Sequence, residues 1–167
     1  VGVVNVLATV VAIKYIDQVG RRPILIFGLM VMLLSLISTG IVMLMASSSD
    51  LIRFLGVASV LTYIVGFAVS MGPIVWILCA EIFPLRHRDF GVTLTTAANW
   101  IFNAMLAQLF PALIKVFDVY GVFFVFSFLS LAGVVFVYLF VPETKGVSLE
   151  TIEENLLNGK SLRYLGQ

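Results

Sequence analysis

Four stretches of this chain run for more than twenty residues without a charge: residues 24–45, 54–80, 92–114 and 119–141. A helix rises 1.5 Å per residue, so about 20 apolar residues cross the roughly 30 Å hydrocarbon layer of a bilayer. Each stretch is long enough to do so. No strand alternation or aromatic girdle of a membrane barrel accompanies them. A fifth apolar run, residues 1–13, ends at Lys14 and is too short to span. The chain has no initiator Met and no signal peptide with a small-residue cleavage site. The first run therefore reads as a membrane helix cut short, and the chain as part of a longer polypeptide.

Composition supports a membrane class. Of the 167 residues, 61% are hydrophobic and 11% charged, with mean hydropathy +1.13. A soluble domain carries about 25% charged residues. The net charge of +1 rests on too few charges to build a basic face for nucleic acid. The lone Cys79 has no partner for an internal disulfide and reads as a small apolar side chain. No residue pattern for zinc, iron–sulfur, haem or nucleotide binding is present, and no nucleophile–base pair, so the expectation is no cofactor, no metal and no enzyme.

Charge alternates between the connections. The first (Lys14, Asp17, Arg21, Arg22), the third (Arg86, His87, Arg88, Asp89) and the tail (Lys145, Lys160, Arg163) hold eight of the ten Lys and Arg. The second and fourth hold Arg53 and Lys115. The positive-inside rule then puts the basic connections and the C-terminus in the cytoplasm. The expected helices cover about 1–13, 24–46, 54–80, 91–115 and 119–141, making 1–141 a transmembrane unit. Residues 142–167 form a tail. There Pro142 ends the last span, Ser148 is a candidate N-cap, and Leu149, Ile152 and Leu156 give a short helix an apolar face.

Polar groups inside apolar spans need a partner or a wet cavity. Asn5 lies within the first run. Asn99 and Trp100 lie in the fourth, and Asn103 shares a face with Asn99 at i, i+4. One amide in such a place often only bridges to a neighbouring helix. Amides and indoles together suit a sugar, because amides exchange hydrogen bonds with hydroxyls and a ring stacks on the apolar sugar face. Gly72-Pro73 interrupts the 54–80 run, as a packing kink or as a gating hinge. Trp76 lies just beyond it, short of the interface, where a cavity role fits better than an anchor. The charges Asp17, Arg21, Arg22, Glu81, Arg88 and Glu143 fall at helix ends, as a solvated rim or as an ion-pair network that locks one conformation.

These stretches also carry a resemblance. "DQVGRRP" (17–23), "GPIVW" (72–76), "EIFPLRHRDFG" (81–91), "NW" (99–100) and "PETKGVSLETIE" (142–153) are similar, in order and spacing, to the sugar porter family of the major facilitator superfamily. The "RDFG" and "ETK-VSLE-IE" stretches are similar to those of its bacterial galactose–proton and arabinose–proton symporters. The resemblance implies an all-α membrane protein: part of a C-terminal six-helix bundle, from the end of helix 8 through helices 9–12 to a short cytoplasmic C-terminal helix. It implies a multi-pass protein of the inner (plasma) membrane. Its partners would be a monosaccharide, a proton, the lipid bilayer and an N-terminal half outside this sequence. It assigns Asn5, Phe67, Trp76, Asn99 and Trp100 to the sugar, Gly72 and Pro73 to the hinge, and Asp17, Arg21, Arg22, Glu81, Arg88 and Glu143 to a cytoplasmic charge network. Ala68 stands where facilitative glucose transporters have a glutamate. The implied function is monosaccharide uptake with a proton by alternating access, with no transport by this stretch alone. A proton-independent facilitator and a non-transporting structural fragment are the alternatives.

Overall fold

The computed structural model describes residues 2–45 and 49–166, apart from the side chains of Asp17 and Leu85. Six α-helices follow in order: α1 (Gly2–Val19), α2 (Arg21–Met45), α3 (Asp50–Val69), α4 (Ile74–Ile82), α5 (Arg88–Phe140) and α6 (Leu149–Leu157). Short 3₁₀ turns occupy Leu85–His87 and Leu162–Tyr164. No strand occurs among the described residues. Three stretches, Arg21–Met45, Asp50–Ile82 and Arg88–Phe140, are helical, long and apolar enough to cross a membrane.

The helices do not end where the apolar runs end. α1 continues past Lys14 to Val19 because a terminal charge does not break a helix. What stops it is Gly20, whose φ of +108° an L side chain rarely adopts. The 54–80 run is two helices rather than one. Between Val69 and Ile74 the ladder changes: the Phe67 carbonyl accepts from both Ser70 N (3.2 Å) and Gly72 N (2.9 Å), the second an i→i−5 bond. Pro73 has no N–H to offer, and Ile74 N resumes regular spacing on Ser70 O at 3.0 Å.

α5 is helical along its length except at Asp118, with φ 57° and ψ 174°. Phe110 and Phe126 show what this residue does. In an unbroken helix, sixteen residues would part them by about 24 Å, yet their rings stack with centroids 6.4 Å apart. The chain folds back at Asp118, and α5 comprises two antiparallel arms, 88–117 and 119–140. The second arm ends at the residues before Pro142, where Val141 is extended (ψ 124°), as a residue before proline prefers.

α2 is the centre of the packing. Its buried residues, among them Leu25, Gly28, Leu29, Met32, Ser35, Leu36 and Thr39, face more than one neighbour. Against α3 the contact is made by small residues. A Cβ on Gly28 would lie 2.0 Å from Ser70 Oγ and 2.8 Å from Gly66 O, and one on Gly66 would lie 3.1 Å from Gly28 O. Backbones approach this closely only where side chains are absent, the usual device of helix pairs in lipid, where the hydrophobic effect does not favour association. On the other side α2 runs antiparallel to the second arm of α5. Gly40 meets Phe124, Leu29 meets Gly133, and Arg22 meets Tyr138. Ile16, Leu25, Leu29, Met32, Ile74, Leu78 and Val137 join these helices in one core.

The tail is folded back. Ser148 Oγ caps α6 by accepting from Thr151 N at 3.2 Å. The inward face of α6 is Ile152 and Asn155, with Leu149 and Leu156 only half buried. Asn155 replaces an apolar residue there because its Nδ2 donates to the carbonyl of the fully buried Leu165 at 3.0 Å.

Candidate functional site

One end of the bundle gathers the charged residues. α1 ends there, α2 begins there, α4 ends there, and the tail crosses it. Arg21 and Glu81 form an ion pair at 3.0 Å, with side chains only 13% and 18% exposed. The second oxygen of Glu81 accepts from Thr144 Oγ1 at 2.6 Å. Glu143 bonds backbone N–H groups. Its carboxylate sits on the start of α2, taking Arg21 N on one oxygen (3.0 Å) and Arg22 N on the other (3.1 Å), while Lys145 N adds a third donor at 3.0 Å. A carboxylate at a helix N-terminus meets both unsatisfied N–H groups and the positive end of the helix dipole. Gly20 makes room for it: a Cβ there would stand 2.6 Å from Glu143 Oε2. Lys145 Nζ donates to the Gln18 carbonyl at the end of α1, a favourable place for a cation.

Two expected members of this network go elsewhere. Arg22 does not reach Glu81. Consecutive residues point about 100° apart around a helix, so Arg22 turns to the second arm of α5, donates to the Tyr138 carbonyl and lies over the Tyr138 ring at 5.4 Å. Arg88 is not paired with Glu81 either. It lies past Pro84 and the 3₁₀ turn, both oxygens of Glu81 are taken, and its Nε is buried with no partner among the described residues. The side chain of Asp17 lies outside the described residues. Thr144, Tyr138, Gln18 and Lys145 escaped the sequence reading. Three of them act through backbone or ring contacts that residue type does not reveal. Thr144 had a signal, its place between Glu143 and Lys145.

The residues expected at a sugar are more dispersed. Asn5, on α1, is half buried. Thr9 Oγ1 donates to the Asn5 carbonyl at 2.9 Å and lies 3.5 Å from both Asn5 Oδ1 and the Ala68 carbonyl. The last of these contacts sets Thr9, one turn from Asn5, against Ala68, the neighbour of Phe67 on α3. Phe67 and Trp76 flank the helix break, 41% and 40% exposed. Gly72 and Pro73 lie in the break itself. Asn99 and Trp100 are exposed on the first arm of α5, Trp100 by 70%, and Asn103 Nδ2 donates to the Asn99 carbonyl at 2.9 Å as well as to its side chain. Phe67, Trp76, Asn99 and Trp100 lie on exposed faces, with no metal-binding group of His, Cys, Asp or Glu among the described residues.

The family model described as "Sugar (and other) transporter" matches residues 1–156. The chain belongs to that family. The galactose–proton symporter of Escherichia coli K12 is 42% identical over 166 residues, covering 99% of this chain and 36% of the symporter. The arabinose–proton symporter of the same organism is 37% identical over 169 residues, covering 99% and 36%. The inward-open structure of the E. coli xylose transporter XylE superposes with a TM-score of 0.83 at 32% identity, covering 92% of this chain and 34% of XylE. The chain thus spans about a third of the length of the relatives it matches. It has the all-α architecture of the major facilitator sugar porters and corresponds to part of one. These relatives are transporters.

Proposed function

We propose that this chain forms the C-terminal part of a proton-coupled monosaccharide symporter and does not transport alone. The observation that carries the reading is that sugar–proton symporters match it over 99% of its length. The geometry supports it. Asn5, Phe67, Trp76, Asn99 and Trp100 supply amides and aromatic faces on surfaces that this chain leaves uncovered, ready to meet a sugar held against a second half. The break at residues 70–73 lies between Phe67 and Trp76, and α4 runs from it to Glu81 in the ion pair with Arg21. Movement at the break is thereby coupled to the pair. In this reading the charged end is cytoplasmic, in the inner membrane, and the Arg21–Glu81–Thr144 contacts with the Glu143 cap hold that side closed.

The test is sugar-induced alkalinisation by the complete transporter containing this chain, in liposomes. Proton uptake on addition of a hexose or pentose supports symport. Sugar entry without it makes the protein a facilitator, and sugar entry mediated by these 167 residues alone overturns the fragment reading. Trp76→Ala in the complete protein is expected to weaken sugar affinity at least tenfold. Unchanged affinity removes Trp76 from the site.

A further inference from the structure

Beside the charged end, outside the sugar-facing surfaces, a groove of about 580 Å³ lies between α2, the second arm of α5 and the tail. Its floor is apolar: Ile26, Phe27 and Met30, on α2, with Phe27 65% exposed. Its rim holds two cations on one ring. Arg22 lies 5.4 Å and Arg163 5.3 Å from the centroid of Tyr138. Neither guanidinium has an ion pair among the described residues, and Arg22 Nε is buried without a partner there. Arg21, next in sequence, has a carboxylate while Arg22 has none. Two like charges gathered around one aromatic ring repel each other, and an anion near both offsets the repulsion.

We propose that this groove binds an acidic phospholipid. Its phosphate would meet Arg22 and Arg163, and an acyl chain would lie along Ile26, Phe27 and Met30. Depth and shape fit a lipid rather than a free anion. Arg22 is in the first turn of a spanning helix whose charge-free run begins at Pro23, so it stands at the boundary where phosphates lie. From Arg22 to Met30 the helix advances about 12 Å into the apolar layer, and the walls there are hydrocarbon. Basic pockets beside membrane helices recognise anionic head groups by this combination.

The test is native mass spectrometry of the detergent-purified chain titrated with dioleoyl phosphatidylglycerol or dioleoyl phosphatidylcholine. The proposal expects phosphatidylglycerol to be retained about tenfold better. The preference should fall to near parity in Arg163→Gln and in the Arg22→Gln/Arg163→Gln pair, survive in Arg163→Lys, and persist in Arg53→Gln at the opposite end. Circular dichroism checks that each variant keeps its helix content, and Arg163→Gln, on the tail, serves if Arg22→Gln unfolds. Equal retention of the two lipids overturns the proposal. So does a preference unaffected by Arg163→Gln in folded protein, or loss of phosphatidylglycerol to millimolar inorganic phosphate, which would make this a simple anion site. If the groove is instead covered by the rest of the transporter, the complete protein retains no preference, and that result also overturns it.

Discussion

α2 and the first arm of α5 look alike as sequences and are opposites in the structure. Each is free of charge for more than twenty positions. α2 buries Ile24, Leu25, Gly28, Leu29, Met32, Leu33, Ser35, Leu36, Thr39 and Gly40. In residues 88–117 only Gly91 is buried, where a Cβ would strike the Phe83 ring at 2.5 Å. The difference is not hydrophobicity. α2 carries glycines and hydroxyl residues at the positions where neighbouring helices cross, and those let backbones approach. The 88–117 arm carries Asn99, Trp100, Asn103 and Gln108 instead, groups that a close-packed interface would strand. One helix is built for its own bundle and the other for something beyond it.

The largest expected break in this contrast is Gly28→Leu. Its side chain has no room against Ser70 Oγ and the Gly66 carbonyl, and it should cost 3 kcal/mol or more, beyond ordinary overpacking, or prevent folding; thermal unfolding in detergent reads it. If Gly28→Leu melts like the parent, α2 and α3 do not pack through their small residues. Glu143→Ala comes next. It strips two backbone donors at the start of α2, and Lys145 N in the tail, of their acceptor, and loss of such a cap costs about 1–2 kcal/mol. Glu143→Gln, which keeps an acceptor but no charge, should recover part of the loss. Glu81→Gln should cost less than Glu143→Ala in stability, because the amide oxygen still accepts from Thr144 or Arg21. Its signature is conformational: in the complete protein the charged side should become more accessible to thiol reagents, and unchanged labelling of both faces would count against a lock.

The smallest effects sharpen the other side of the comparison. Asp118→Gly relieves a left-handed backbone at the turn between the arms. Strain of that kind is worth about 1 kcal/mol or more, partly offset by the freedom glycine adds to the unfolded chain, so a small rise in melting temperature is expected. Trp100→Ala should leave the melting of this chain within about 0.5 kcal/mol, as for an exposed site, while weakening sugar binding in the complete protein. A large loss of stability with unchanged sugar affinity would reassign the first arm to packing.

The apolar runs made the spanning helices legible, since length and absence of charge are enough to name a span. They also placed the connection between 115 and 119 and the interruption at Gly72-Pro73, but not the exact ends or how the chain turns. Gly20 ends α1 through its dihedral, which no change in hydropathy shows, and Asp118 reverses α5 through a conformation that aspartate seldom adopts. The Arg21–Glu81 contact was expected, because opposite charges at helix ends seek each other when partly desolvated. Arg22 was expected to join it and could not, since neighbours on a helix diverge and its actual partners are a carbonyl and a ring. Glu143 was legible as a member of the charged cluster, but its role as a cap on another helix depends on the folded-back tail. The aromatic and amide residues were legible as polar groups in apolar spans. Their separation on several open faces follows from tertiary packing.

The wide turn at Phe67–Gly72 has a consequence for angular phase. Nine residues separate Phe67 from Trp76, and in an unbroken helix at 100° per residue that puts them on opposite sides. An i→i−5 turn absorbs one residue, so the pair behaves as though eight apart, about 80° from each other. The insertion brings their two positions around the axis closer together, and it does so through the Phe67 carbonyl and the Gly72 N–H, upstream of the proline ring. Replacing Pro73 alone is therefore expected to keep that offset.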